Sequence, residues 1–387
     1  MREITLTSNS IPNEDIDALS EWLKTYPRLS AGPKVVEFEN MLAASVGSKY
    51  AVFVNSGSSA NLIMLYAAKM MGFLRNNKVV VPALCWATTL SPVMQLGMQP
   101  ILCDSNMTDL SVSLTDLERI FKESKPSCLM LVSVLGMVPN YEEIVKLCSK
   151  YAVVLLEDAC ESLGSKVRDA YVGTVGLMGS YSFFYSHQLC CIEGGAVVTD
   201  DNKTYQMLLM LREHGWTRKS DAKTKNELKE KWNVSDFNDM YTFYVPGFNF
   251  RNTEINAFLR TKQLERFSDI SAKRDSNYRK YNSVIQNSYW MPPRQFECLV
   301  SNLGYPIITP ERDRLVQSLR ESGIDCRPLI SGSMGNQPMF IEAYGGNTVI
   351  KNANMFDKFG LYIPNHTELG EEDIEYIAKI VNETINR

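Results

Sequence analysis

Four short stretches carry residue types that could do chemistry. NSGSSANL (55–62) follows an apolar run and precedes a helical pattern. Its small residues let a ligand approach the backbone, and the next helix N-terminus offers N–H groups and a positive dipole end suited to a phosphate. Gly57, Ser58 and Ser59 are the natural donors, with a plain serine-capped loop as the alternative. VVLLEDACES (153–162) is an apolar run ending in Glu157-Asp158. A carboxylate there could keep a heteroaromatic nitrogen protonated through a charge-assisted hydrogen bond, or simply cap a helix. CWATT (85–89) sets Trp86 just past the run KVVVPAL, where an indole could lie on a planar ring or serve a core or interface. SYSFFYSHQLCCIEGGAVVTDD (180–201) holds His187 in a loop between two strand-like runs. Imidazole, with an ordinary pKa of about 6.5, can act as both general base and general acid.

These residues need a scaffold, and the hydrophobic pattern supplies one. YAVFVN, KVVVPAL, QPILCD, SCLMLVSV and AVVLLEDA read as buried strands, alternating with helix-like segments at 58–72, 114–123 and 141–150. That alternation predicts an α/β fold with a large, mostly parallel sheet covered by helices on both faces. Strands near 179–184 and 195–199 bracket the histidine loop. The polar run RKSDAKTKNELKEKW (218–232) reads as a solvated excursion. Beyond VPGFNFRNTE come helices at about 252–268 and 271–287, short strands near 298–308, and helices at 311–322 and 370–385. A chain of 387 residues exceeds one usual core. The expected division is therefore a large α/β domain, 1–249, and a smaller C-terminal α+β domain, 250–387.

Bulk properties exclude some classes. A net charge of −4 gives no electrostatic reason for a nucleic-acid or membrane partner. No apolar run is long enough to cross a bilayer, and the start MREITLTSNS lacks the layout of a signal peptide. Nine scattered cysteines suit reduced thiols, so a cytoplasmic setting is expected.

A phosphate cradle, an aromatic face and a carboxylate partner together are what pyridoxal 5'-phosphate needs. Over nearly its whole length the chain resembles the nucleotide-sugar aminotransferase family of fold-type I pyridoxal-phosphate enzymes. The likeness runs from SAGPKVVEFENMLAASVGSKYAVFVNSGSSANL through VPALCWATT and LEDACESLGS to SFFYSH, EGGAVVTD, LREHGW and GFNFRNTEINA. It implies that Asp158 binds the ring nitrogen and Trp86 stacks on the ring. It further implies that Gly57, Ser58 and Ser182 hold the phosphate, joined by Asn249 of the partner subunit in a homodimer. Glu161 stands where other members often carry a histidine or glutamine facing the cofactor oxygen. His214 in LREHGW matches a segment on the substrate side, and Arg251 and Arg327 could meet a sugar diphosphate or form surface ion pairs. His366 in YIPNHTE reads as a surface loop residue.

Most members of that family carry lysine where this chain has His187. A lysine amine bonds to the cofactor aldehyde and later moves a proton; an imidazole lacks the primary amine and can do only the second. The cofactor, as pyridoxal or pyridoxamine 5'-phosphate, is therefore expected without a covalent tether. A histidine here resembles the branch of nucleotide-sugar 3-dehydratases, which deoxygenate C3 of 4-keto-6-deoxy sugars. The SH and EGG context and RPLISGSMGNQP (327–338) resemble that branch too. Some of its members bind a two-iron two-sulfur cluster through ligands that include a Cys-x-Cys pair. Here Cys190 and Cys191 are adjacent, the next is Cys298, and four convergent thiolates cannot be assembled. The cluster-free group, acting on GDP-4-keto-6-deoxymannose, fits better, so no iron–sulfur cluster or other metal is expected.

The resemblance then implies a role in deoxysugar biosynthesis for an O-antigen or other surface polysaccharide. Glutamate would supply the amine and leave as 2-oxoglutarate, and ammonia would be released. Two rivals remain. An aminotransferase making an amino sugar would need another lysine; Lys166 and Lys203 are nearest in sequence and neither lies in the strand-end loop. A non-catalytic sensor that kept the fold is the other. A histidine substituted for a natural lysine is a third possibility that one sequence leaves open.

Overall fold

The computed structural model describes residues 3–8, 11–190, 192–293, 297–346 and 350–386. The apolar runs become strands β1 (Tyr50–Val54), β2 (Lys78–Pro82), β3 (Gln99–Cys103), β4 (Cys128–Val132) and β5 (Val154–Asp158). They are followed by β6 (Lys166–Val167), β7 (Ala170–Tyr171), β8 (Met178–Ser182) and β9 (Gly195–Thr199). Seven of these form one sheet in the order β1-β9-β8-β5-β4-β2-β3. β9 is antiparallel to both its neighbours, and every other pairing is parallel. The C-terminal ends of β1, β2, β4, β5 and β8 therefore share one edge, and β9 starts at that edge. Ligands of open α/β sheets bind along such an edge.

Side chains alternate across each strand, and both faces of this sheet are buried. Val52, Val54, Val79 and Val81 pack in one core cluster, while Ala51, Phe53 and Val80 pack in another. Helices Gly57–Met70 and Asn202–Arg212 cover the first face. Helices Pro33–Val46, Leu114–Ser124, Tyr141–Tyr151 and Glu254–Leu264 cover the second. Burial on both sides explains why the strands read as continuous apolar runs rather than alternating ones.

A hairpin of β6 and β7 takes β10 (Cys298–Leu299) as a third strand. β11 (Gly304–Ile308), β12 (Arg327–Pro328) and β13 (Gly360–Pro364) make a separate antiparallel sheet in the order β11-β13-β12. Around it Tyr281, Tyr305, Ile307, Leu361, Ile363 and Val381 form a third cluster, which Ile4 joins through its pairing with Ile324. The polar run at 218–232 contains a helix, Ala222–Trp232, with no buried residue. Asp221 caps it by accepting from the Thr224 amide at 2.7 Å.

Candidate active site

At the sheet edge a cavity of about 340 Å³ opens, lined by Gly57, Ser58, Trp86, Asp158, Glu161, Ser182 and His187 among others. Residues as far apart in sequence as Ser56 and Tyr362 thus meet in one place.

The first wall is the start of the helix Gly57–Met70, directly beyond β1. Ser56 caps it, its Oγ accepting from the Ser59 amide at 3.0 Å. This corrects the expectation that Ser59 offers its N–H to a ligand: the cap already uses it. Gly57 and Ser58 stay on the cavity, in the first turn, where amides have no intrahelical partner. A Cβ on Gly57 would stand 2.6 Å from the Ser182 Cβ and 2.9 Å from the Cys160 Sγ. Glycine is required because the end of β8 passes so close. The result is a concave corner with a positive dipole end and the Ser182 hydroxyl, which fits a phosphate.

The second wall is the end of β5. Asp158 is buried, and its Oδ2 accepts from the Asn61 amide at 2.7 Å and the Thr89 hydroxyl at 2.6 Å. Its Oδ1 accepts from the Cys160 amide at 3.1 Å. The Asn61 side chain is itself oriented, because its Oδ1 accepts from the Ser180 hydroxyl at 2.6 Å. Three donors converge on this carboxylate, and a carboxylate has about four acceptor positions, so one remains for the cavity. The neighbouring Glu157 faces the other side of the sheet. It accepts from the amides of Gly173, Val175 and Gly176 and from the Tyr141 hydroxyl.

His187 closes the third side. Its Nδ1 lies 2.5 Å from the Cys160 carbonyl oxygen. A carbonyl only accepts, so Nδ1 carries the proton and Nε2 is left as the free lone pair. Burial pushes the imidazole down to about 4, helped by the positive charges of Arg274 and Arg260. At neutral pH it is an uncharged base. Beside it Glu161 accepts from the Leu135 amide at 2.7 Å. Burial, with the nearby Asp158 charge, pushes Glu161 up to about 8, so it is a neutral acid able to donate. From β13 the Tyr362 hydroxyl, pushed up to about 12 by burial, also reaches the cavity. Trp86 stands at the helix-cap position before Ala87–Gln95 and is 55% exposed, an open indole face on the cavity wall.

Residues 9–382 match the DegT/DnrJ/EryC1/StrS aminotransferase family. The chain belongs to this family. A family relative, the GDP-4-keto-6-deoxy-D-mannose 3-dehydratase of Escherichia coli O55:H7, is 31% identical over 90% of this chain and 92% of its own length. GDP-perosamine synthase of Escherichia coli O157:H7 is 28% identical over 99% of each chain. A solved structure of the Escherichia coli 3-dehydratase with bound hydrated pyridoxal phosphate superposes with a TM-score of 0.89 at 30% identity. That match covers 98% of this chain and 100% of the other. The fold is the expected one, the fold-type I architecture of the family's pyridoxal-phosphate enzymes.

Not every expected residue lies on the cavity. Asn249, His214 and Arg251 form a separate exposed or half-exposed group. Arg251 Nε donates to Asn249 Oδ1 at 3.0 Å, and its Nη2 lies 3.4 Å from His214 Nε2. Within one chain they do not line the cavity. Arg327, on β12, is ion-paired with Asp325 instead, although its strand partner Tyr362 does line the cavity. His366 corrects the surface-loop expectation: it is buried. The turn after β13 tucks under the helix Phe267–Val284, where Asn277 Nδ2 donates to the His366 carbonyl at 3.0 Å. Cys190 is buried and Cys298 half-buried. Cys191 lies outside the described residues. Among the described residues no group of three or more histidine, cysteine, aspartate or glutamate side chains could hold a metal. No described helix is long and apolar enough to cross a membrane.

Sequence reasoning missed Asn61, Thr89 and Tyr362. The first two stand inside motifs already singled out, NSGSSANL and CWATT. Their polar types beside a predicted strand end were the available signal. Tyr362 left none, since it arrives from β13.

Proposed function

We propose that the chain is a 3-dehydratase of a nucleotide-linked 4-keto-6-deoxy sugar, with GDP-4-keto-6-deoxymannose as the substrate. Glutamate is the amino donor, and 2-oxoglutarate and ammonia are released. The observation that carries this reading is His187 on the cavity with Nδ1 fixed to the Cys160 carbonyl and Nε2 free. It is a base in the right tautomer at a position that offers no primary amine. Among the described residues that line the cavity there is no lysine.

The cofactor is pyridoxal 5'-phosphate, which when bound supplies an aldehyde to capture amines and a ring to take up electrons. Gly57, Ser58 and Ser182 hold its phosphate at the helix N-terminus, with Asn249 of the partner subunit completing the corner in a homodimer. Trp86 covers the ring face. Asp158 keeps the ring nitrogen protonated through its remaining acceptor position. Glu161, protonated at neutral pH, donates toward the ring oxygen. His187 Nε2 takes a proton from the carbon next to the reacting nitrogen, and the imidazolium formed then protonates the departing C3 hydroxyl as water. Glutamate supplies the two electrons of the deoxygenation. No amine at position 187 can reclaim the aldehyde, so the sugar leaves by hydrolysis as a ketone. On this reading His214, Arg251 and Arg327 remain candidates for the nucleotide diphosphate.

Incubation of the loaded protein with glutamate and GDP-4-keto-6-deoxymannose tests the reading. Equal amounts of ammonia and 2-oxoglutarate are expected, with a 3-deoxy sugar. Formation of a 4-amino sugar would instead establish the aminotransferase reading, which the similarity to GDP-perosamine synthase keeps open.

Two further outcomes are expected at this site. Gly57→Ala forces the cradle apart from Ser182 and should weaken pyridoxal phosphate binding about 10- to 100-fold, the worth of one charge-assisted hydrogen bond. A fluorescence titration reads this directly. Glu161 gives a pH dependence. Its folded value lies above the ordinary 4.5, so the stability linked to its proton is complete below that value and is lost as pH rises toward 8. Cofactor affinity should fall over the same upper range, as a charged carboxylate comes to face the ring oxygen. Equilibrium dialysis from about pH 6 to about pH 9 would show it. Glu161→Gln, whose amide donates at every pH, should flatten the curve; an unchanged slope in that variant would remove Glu161 from the role.

A further inference from the structure

Behind His187 lies a second cavity, of about 360 Å³, which shares the Ser186–His187 wall with the first. Arg274 reaches it from the helix Phe267–Val284. This side chain is 5% exposed. Its Nη1 donates to the carbonyls of Asn365 at 2.6 Å, Asn302 at 3.0 Å and Leu303 at 3.4 Å. Its Nε is buried and has no partner among the described residues. No carboxylate among the described residues forms an ion pair with it. The other arginine of the wall, Arg266, is already paired with the buried Asp15, its Nη2 2.5 Å from Oδ2. The two acids of the wall, Glu14 and Glu368, are exposed.

A buried guanidinium satisfied only by carbonyls carries an uncompensated charge, and that is costly in a poorly solvated setting. The desolvation is enough to pull Arg274 down to about 10. An anion in the adjoining space supplies both the missing charge and acceptors for the unused guanidinium edge. We propose that the second cavity is an anion site, in which a small carboxylate pairs with Arg274 behind the catalytic histidine.

The site has a consequence for the base. The groups facing His187 are Asp158 from β5, Arg274 from its helix and Arg260 from the helix Glu254–Leu264. Glu14, Arg266 and Glu368 stand further round the second cavity. An anion on Arg274 cancels one of the two positive charges that add to burial in keeping the imidazole neutral, so occupancy should make His187 more basic. This holds for a dehydratase and for an aminotransferase alike, and so does not rest on the choice between them.

The test uses the cofactor-loaded protein, with acetate and bromide as probes. Crystals soaked in bromide should show its anomalous peak within hydrogen-bond reach of Arg274. In solution, acetate should raise the His187 titration midpoint, followed by the imidazole signals in NMR, by about half a unit or more, and chloride-free gluconate should not. Arg274→Gln should abolish the acetate effect. If that variant fails to fold, the bromide position and the wild-type titration still decide. Three results would overturn the proposal. One is a crystal in which Glu14 or Glu368 has swung onto Arg274. Another is no peak at the guanidinium. The third is a peak with no response of His187 to acetate, meaning an adventitious ion only.

Discussion

His187→Asn is expected to lower turnover about 10²- to 10⁴-fold while cofactor binding changes little, because under the proposed function it removes proton transfer and nothing else. The asparagine amide can still donate to the Cys160 carbonyl, so the loop keeps its anchor. What disappears is the Nε2 lone pair, the base of the proposed reaction. The measurement is steady-state ammonia release alongside a cofactor titration; a variant that turns over at the wild-type rate would end the assignment of His187 as the base. The pH dependence of the wild-type protein follows from the same group. Its folded value, about 4, lies below the ordinary 6.5. The stability linked to it is therefore complete above about 6.5 and is lost as pH falls through 4. Activity should likewise hold down to mildly acidic pH, since the base stays neutral there. His187→Lys supplies the missing primary amine. Borohydride should then fix the pyridoxyl group to the protein in this variant and leave the wild type unlabelled.

Asp158→Asn should be nearly as damaging, by a different route. The amide must turn an NH₂ toward either the Asn61–Thr89 donors or the Cys160 amide and the cavity. With its oxygen kept on Asn61 and Thr89, it would present a donor where the proposed function puts the ring nitrogen, which would then lose its proton. A loss of about 10²- to 10³-fold in turnover is expected, the size seen when one preorganised electrostatic contact to the reacting system is removed. Asp158→Ala should add a stability defect. It leaves the Thr89 hydroxyl and one Asn61 N–H without the acceptor they use, the other Asn61 N–H keeping the Thr88 carbonyl, at about 1–3 kcal/mol each. Thermal unfolding of the two variants separates the effects: the asparagine protein should melt close to wild type and the alanine protein well below it.

These predictions rest on residues of two kinds. Gly57, Trp86, Asp158 and His187 could be found from sequence because each sits at or shortly after the end of an apolar run that had to be a buried strand. The end of a strand in a parallel sheet is a place where chemistry collects, and a motif there needs no long-range knowledge to be noticed. The alternation of runs also determined the sheet and its two helical faces. The short helix Asn13–Leu23 and the strand β13 were not foreseen, since neither has a pattern strong enough to stand out locally.

The state of each group was another matter. Asp158 is oriented because Asn61 and Thr89 donate to it from two other elements, while Ser180 on β8 fixes the Asn61 amide. The Ser59 amide is unavailable because Ser56 folds back upon it, and Glu157 and Asp158, adjacent in the chain, face opposite sides of the sheet. His366 looked like a loop residue and is buried because a helix closes over it. The sequence by itself determined which chemical groups were present and which strand ends would carry them, because hydrophobic periodicity is local. Tautomer, protonation and the pairing or isolation of charges such as Arg274 were decided only by the tertiary structure. They depend on which distant side chains are brought within about 3 Å and on how much water they exclude.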